Sequence, residues 1–325
     1  MKTVHLVLFC MLLLTNCSKP VVSSVTKEGV VLFDVKNIQY GTGLDTGGRK
    51  VALMLDLYYP KSATSLNNFP LVVMIHGGTF LFGDKADLAT ECSMLADSGF
   101  VVASVNYRLG WKFGFGNCDG DTSSLLRGCY RGLQDINAAI RFLVAGSGAF
   151  AIDTKWIFTG GSSAGAILAL NTNYITENTA QALLPAEHAL LGPLNNSGNS
   201  LTETFKISGI ANMWGALSDS ALINAGNAVP AISFHGTRDN TVPYNIGRNY
   251  NCSNYVKLFG SECIQRRLEW FHVPAITNLV IGAGHGPAVY TDEFLMSNTA
   301  CFFKKIINGS PITSKVYTIL ENTCN

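Results

Sequence analysis

The stretch Thr159-Gly160-Gly161-Ser162-Ser163-Ala164-Gly165 stands between an apolar run, Trp156–Thr159, and an alanine-rich segment, Ala164–Ile175. It fits the template G-x-S-x-G in one register only, Gly161 to Gly165, because centring it on Ser162 would need glycine where Ala164 stands. The template has a physical basis. A strand ends, turns sharply and opens a helix, so the serine takes a strained backbone and its hydroxyl projects from the turn. Small residues two places before and after it avoid clashes there. Ser163 is therefore the candidate nucleophile and Ser162 a spacer; the plainer alternative is a small-residue packing turn.

Outward from this turn the chain alternates. Short apolar runs at Leu71–Ile75, Val101–Asn106, Trp156–Thr159, Ile207–Met213, Ala231–Phe234 and Leu279–Ile281 read as strands. Helical patterns fall between them at Asp84–Ser98, Cys129–Ala145, Ala164–Ile175, Ile246–Leu258 and Glu293–Ile307. Strands apolar on both faces and separated by helices imply an α/β fold with a mostly parallel central sheet covered on both sides. Before them, Val30–Tyr40 and Val51–Tyr59 flank the turn-rich GTGLDTGGRK and predict an antiparallel hairpin. Insertions near 110–128 and 178–204 are long for plain connections and are expected at the rim of a site.

A serine hydroxyl needs a base to take its proton. Among the 6 histidines, His285 sits in Gly284-His285-Gly286 after the run NLVIG, at a strand end where sites of open α/β sheets assemble. His188 lies in an irregular insertion and His272 at the edge of an aromatic segment. His76 and His235 also follow strands and read as bracing, hydrogen-bonded residues. Asp239, in a tight loop after the run AISF, is the candidate carboxylate to orient His285, with Asp219 as its rival. For the oxyanion, the glycines of His76-Gly77-Gly78 let backbone N–H groups approach a carbonyl, and the Ala164 N–H supplies a second donor at the helix start. Thr79, Phe80, Trp111 and Trp214 are candidate pocket residues, with Phe82, Phe113 and Phe115 as further aromatics nearby.

IHGGTFLFGDK, SVNYRL, INAAIRFL, GGSSAG, HGTRDNTVPY and GAGHG together resemble the α/β-hydrolase carboxylesterases, over about Val51 to Ile307. Within that family the chain looks most like the bacterial esterase/lipase group that includes feruloyl- and acetylxylan-esterase-like enzymes. The resemblance implies the α/β-hydrolase fold and acylation of Ser163, with His285 as base and Asp239 as its partner, the chain order of that fold. It implies an oxyanion site at Gly77, Gly78 and Ala164, and no metal or organic cofactor. Thr79 departs from the pattern, since many relatives carry glycine there. The expected activity is carboxylic ester hydrolysis; a peptidase of the same fold, acyl transfer and a non-catalytic binding module are the alternatives. Sugar-acetyl, feruloyl, short aliphatic and polyester substrates all fit.

A formal charge of +1 with 14% charged residues offers no nucleic-acid surface and no polybasic membrane patch. Residues 1–17 read as an export signal: Lys2 precedes an apolar run, Val4 to Leu14, too short to span a bilayer. Leu14-Thr15-Asn16-Cys17 resembles a lipoprotein cleavage box, so the expectation is a lipid anchor at Cys17 on a cell-envelope protein, with ordinary secretion as the alternative. Residues 18–29 would form a tether and 30–325 one catalytic domain. In an exported chain cysteines are disulfide candidates. Spacing suggests Cys118/Cys129, Cys252/Cys263 and Cys301/Cys324, leaving Cys92 over and buried on a helix.

Overall fold

The computed structural model describes residues 25–26 and 29–320; the proposed signal, Cys17 and most of the tether lie outside them. A two-residue ladder of β1 (Val25–Thr26) and β2 (Gly29–Val30) precedes the main sheet. The hairpin follows as β3 (Val35–Leu44) and β4 (Lys50–Tyr58), paired antiparallel. Next come β5 (Phe69–Ile75), α1 (Ala89–Asp97), β6 (Val101–Val105), α2 (Thr122–Ala145), β7 (Ile152–Ser162) and α3 (Ala164–Tyr174). Short helices α4 (Glu177–Leu183) and α5 (Pro185–Leu191) lead to β8 (Ile207–Met213) and β9 (Ala231–Gly236). The rest is β10 (Ile246–Arg248), β11 (Lys257–Phe259), α6 (Ser261–Trp270), β12 (Ala275–Val280), α7 (Asp292–Ile307) and β13 (Lys315–Tyr317).

The main sheet has nine strands in the order β13-β12-β9-β8-β7-β5-β6-β4-β3. All neighbours run parallel except at the hairpin edge, where β4 is antiparallel to both β3 and β6. This is the α/β-hydrolase architecture. Why β5 reads as an unbroken apolar run is visible in its neighbours. Leu71, Val73 and Ile75 join the core under α2 and α3, while Val72 and Met74 join the core under α1 and α7. With side chains alternating between two covered faces, every position must be apolar. Because β7 pairs β5 on one side and β8 on the other, its C-terminal end lies inside the sheet edge rather than at a flank.

Three expectations need correction. Ile246–Leu258 is not a helix. β10 and β11 pair antiparallel, and Tyr250 and Asn251 between them take left-handed backbone at φ 53° and 57°. The Gly-, Asn- and Cys-rich chain there favours turns over helix, and the helix comes later, as α6. The insertion 178–204 is partly helical, carrying α4 and α5. Most of all, the cysteine pairing differs: Cys118 is bonded to Cys252 across 134 residues. Cys129 instead sits within α2, two turns past the Asp121 cap, with its thiol against Asn171, and Cys263 sits on α6 with its thiol near Asn245. Cys92 is free and buried on α1, as expected. Cys301 is disulfide-bonded, while Cys324 lies outside the described residues.

Candidate active site

At the end of β7 the chain turns so tightly that Ser163 has φ 54° and ψ −119°. A Cβ on Gly165 would stand 2.0 Å from the Ile75 carbonyl oxygen, and one on Gly161 would stand 2.5 Å from the same atom. Both small residues are therefore steric requirements of the elbow against β5. Ser162 is still in the sheet, in register with Met213 of β8, whereas Ser163 has left it and caps α3. The hydroxyl of Ser163 lies 2.8 Å from His285 Nε2. On the other side of that ring, His285 Nδ1 lies 2.6 Å from Asp239 Oδ2.

The carboxylate decides the tautomer. Burial by itself raises the Asp239 pKa, but hydrogen bonds from His235 and His285 outweigh it and hold the group at about 2. An ionised carboxylate only accepts, so His285 Nδ1 carries the proton and Nε2 is bare to accept from the serine. Oδ1 of Asp239 accepts from the backbone N–H groups of Thr241 (2.8 Å) and Val242 (2.9 Å). The rival Asp219 instead caps the turn at Ser220–Leu222 through Ala221 N–H. His188 pairs with Glu177.

The loop after β5 reaches the same place. A Cβ on Gly77 would stand 3.5 Å from the Ser163 Cβ. Gly78, at φ +103°, gives its carbonyl to Leu81 and Phe82, and a Cβ there would meet the Phe82 oxygen at 2.0 Å. Its own N–H has no partner among the described residues. Ala164 is the first residue of α3, so its N–H lacks an intrahelical acceptor by geometry. His76 is not a proton-transfer partner of the serine. Its Nδ1 contacts the Gly77 carbonyl, its ring stacks on Tyr107 at 4.4 Å, and burial lowers its pKa.

Two cavities meet at Ser163. One, of about 350 Å³, is lined by Leu125, Ile167, Leu184, Val256 and Leu258, with Phe80 and Trp111 in its wall. The other, of about 390 Å³, contains His285, Trp214 and Phe82 beside the acidic side chains Asp87, Glu91 and Asp292. Thr79 borders both, and its side chain is hydrogen-bonded to Tyr250. Trp214 packs edge-on against the His285 ring at 6.4 Å and lines the cavity of His285, not the one along α3. Phe115 lines neither; it is fully exposed.

The rim of the apolar cavity is tied across the chain. Tyr255 Oη donates to the Asn117 carbonyl at 2.7 Å and accepts from Gly120 N–H at 2.9 Å, beside the Cys118–Cys252 bond. Val256 in the cavity wall was not legible as a site residue, nor was Tyr255 beside it, because the Cys118–Cys252 bond that tethers this segment spans 134 residues. His235 lies 3.3 Å from Asp239 and joins the site as a neighbour of its acid, which its position at a strand end did not distinguish from packing.

The BD-FAE family model matches residues 55–225, more than half of the 325 residues. The chain belongs to the BD-FAE family. That match includes the elbow and stops before Asp239 and His285. Among curated proteins, this BD-FAE member is similar to Esterase E4 of Myzus persicae, 37% identical over 134 residues, 40% of this chain and 23% of that one. It is also similar to the cAMP-regulated D2 protein of Dictyostelium discoideum, 32% identical over 130 residues, 40% and 23% of the two chains. The matched stretch thus spans about a quarter of either relative. Solved structures share the fold. A truncated carbohydrate esterase from gut microbiota superposes with a TM-score of 0.60 at 16% identity, over 88% of this chain and 100% of that one. Thermogutta terrifontis esterase 2 superposes with a TM-score of 0.56 at 18% identity, over 86% and 96%.

Proposed function

We propose that this protein is a carboxylic ester hydrolase that works through an acyl-enzyme on Ser163. The observation that carries the reading is the unbroken line Ser163–His285–Asp239, at 2.8 and 2.6 Å, on a strained elbow. Ser163 Oγ attacks the ester carbonyl carbon as its proton passes to His285 Nε2. The imidazolium formed is stabilised by ionised Asp239. The N–H groups of Gly78 and Ala164, with Gly77 beside them, receive the negative oxygen of the tetrahedral intermediate. That intermediate breaks its carbon–oxygen bond to the alcohol, which leaves with the proton from His285. Water then repeats the sequence on the acyl-serine and releases the acid.

The two cavities suggest how the ester lies. His285 must protonate the leaving oxygen, so the alcohol belongs in the cavity that contains His285, whose wall carries the acidic side chains Asp87, Glu91 and Asp292. The acyl group then takes the apolar cavity along α3. A p-nitrophenyl ester series of increasing acyl length tests both points. The reading expects kcat/KM to rise with chain length until about 350 Å³ is filled and then to fall. Activity indifferent to acyl length, or peptide cleavage without ester cleavage, would remove it. Export to the cell envelope with a lipid on Cys17 belongs to the same proposal, supported by the Val4–Leu14 run and the Cys118–Cys252 bond. Metabolic palmitate labelling that persists in Cys17→Ser would refute the anchor.

A further inference from the structure

Behind Asp239 lies a buried polar chain that the proposed reaction does not use. It begins at Asn212, next to the C-terminal end of β8, whose Oδ1 accepts from Gly215 N–H at 2.9 Å. A backbone N–H can only donate, so this contact fixes which end of the amide is oxygen. Asn212 Nδ2 then spends one proton on Ser233 Oγ (3.1 Å) and the other on Ser261 Oγ (3.0 Å). Ser261 lies 2.7 Å from His235 Nδ1, and its own proton has no other acceptor among the described residues. Nδ1 of His235 is therefore an acceptor and its proton sits on Nε2.

The far side of the ring requires the same tautomer. Nε2 faces two groups that only accept, the Val242 carbonyl at 3.1 Å and Asp239 Oδ2 at 3.3 Å. Asn212, His235 and Ser261 are each 0% exposed, so no solvent molecule replaces a lost partner. The line Asn212–Ser261–His235 thus ends with the Nε2–H between the Val242 carbonyl and Asp239 Oδ2, the oxygen that also receives His285.

We infer that His235 is a positioning residue of the active site: as a neutral Nε2–H tautomer fixed by Ser261 and Asn212, it is the second imidazole donor to Asp239 Oδ2. With it, Oδ1 takes two backbone donors and Oδ2 faces two ring nitrogens, at 2.6 and 3.3 Å, so contacts on both oxygens hold the plane of the carboxylate. The line from β8 through β9 to the start of α6 ties the acid loop to three elements at once. This inference rests on the reading of Ser163, His285 and Asp239 given above.

The test compares His235→Gln with His235→Asn, since a glutamine amide nitrogen reaches the place of Nε2 and an asparagine reaches only that of Nδ1. Readouts are p-nitrophenyl butyrate hydrolysis, the rate of fluorophosphonate labelling, and the low-field proton resonance of His285 Nδ1–H. His235→Asn is expected to lower kcat and labelling rate on the order of ten- to a hundredfold, the worth of one hydrogen bond to a charged group, with KM nearly unchanged. It should also displace the resonance, and His235→Gln should restore most of all three. Ser261→Ala, which leaves His235 in place but frees its tautomer, should fall between them.

Wild-type kcat in His235→Asn, or equal losses in both variants that follow melting temperature alone, would make His235 a packing residue and end the inference. If neither variant folds, an unchanged kcat and resonance in Ser261→Ala would do the same. Wild-type protein inert to both ester and fluorophosphonate would instead defeat the reading of Ser163, while the resonance would still test the positioning.

Discussion

The floor of the site and its apolar rim are built on different principles. The floor is local and crowded: the elbow, the Gly77–Gly78 loop and the acid loop each leave the C-terminal end of a parallel strand, and sterics leave them no alternative path. The rim is distant and tethered. Trp111 and the loop to α2 meet the β10–β11 hairpin through one disulfide and the contacts of Tyr255. The contrast teaches that reaction chemistry should be sensitive to single atoms in the floor, whereas the rim should govern which acyl group fits.

Substitutions can break or sharpen this division. Ser163→Ala should remove ester hydrolysis by on the order of a millionfold while leaving the fold intact; Ser162→Ala should retain most activity, as both rates in the same assay would tell. Asp239→Asn should cost about ten-thousandfold in kcat by admitting the wrong His285 tautomer. Gly165→Ala forces a Cβ to 2.0 Å from Ile75 O, so denaturant unfolding should show a loss of about 3 kcal/mol or more. Cys118→Ser should act differently again. Stability should fall by about 2–4 kcal/mol, and KM for long acyl esters should rise more than kcat falls. A Cys118→Ser protein with an intact KM profile and a depressed kcat would erase the distinction between floor and rim.

The acid loop also has a pH signature. Asp239 is held at about 2 against an ordinary 3.8, so its folded pKa is depressed. Its contribution to stability is thus present above about pH 4 and is lost as pH falls toward 2. Urea midpoints measured between those values should fall more steeply for wild type than for Asp239→Asn. At the small end, Phe115→Ala should change neither kcat/KM nor stability by more than about 0.5 kcal/mol, because its ring touches solvent on all sides.

The same contrast explains what could be read beforehand. Strands such as Leu71–Ile75 are apolar at every position because two helical layers cover them, and that pattern is local in the chain. The elbow is legible because its geometry tolerates few residue types within seven positions. Ile246–Leu258 misled because its apolar residues, Ile246, Val256 and Leu258, serve a hairpin and a cavity wall rather than one helix face. The pairings Cys118/Cys129 and Cys252/Cys263, chosen by nearness in sequence, failed for a related reason: α2 starts at Thr122 and carries Cys129 into the interior, away from Cys118. Asn212 did leave a trace, as an amide in a mostly apolar run, but its meaning depends on Ser261 and His235, 49 and 23 residues away.

The most direct measurement is a fluorophosphonate adduct located by peptide mass on the intact protein and on each serine variant. The account predicts one adduct on Ser163, absent in Ser163→Ala and preserved in Ser162→Ala. An adduct on Ser162, or no adduct on the wild-type protein, would contradict it.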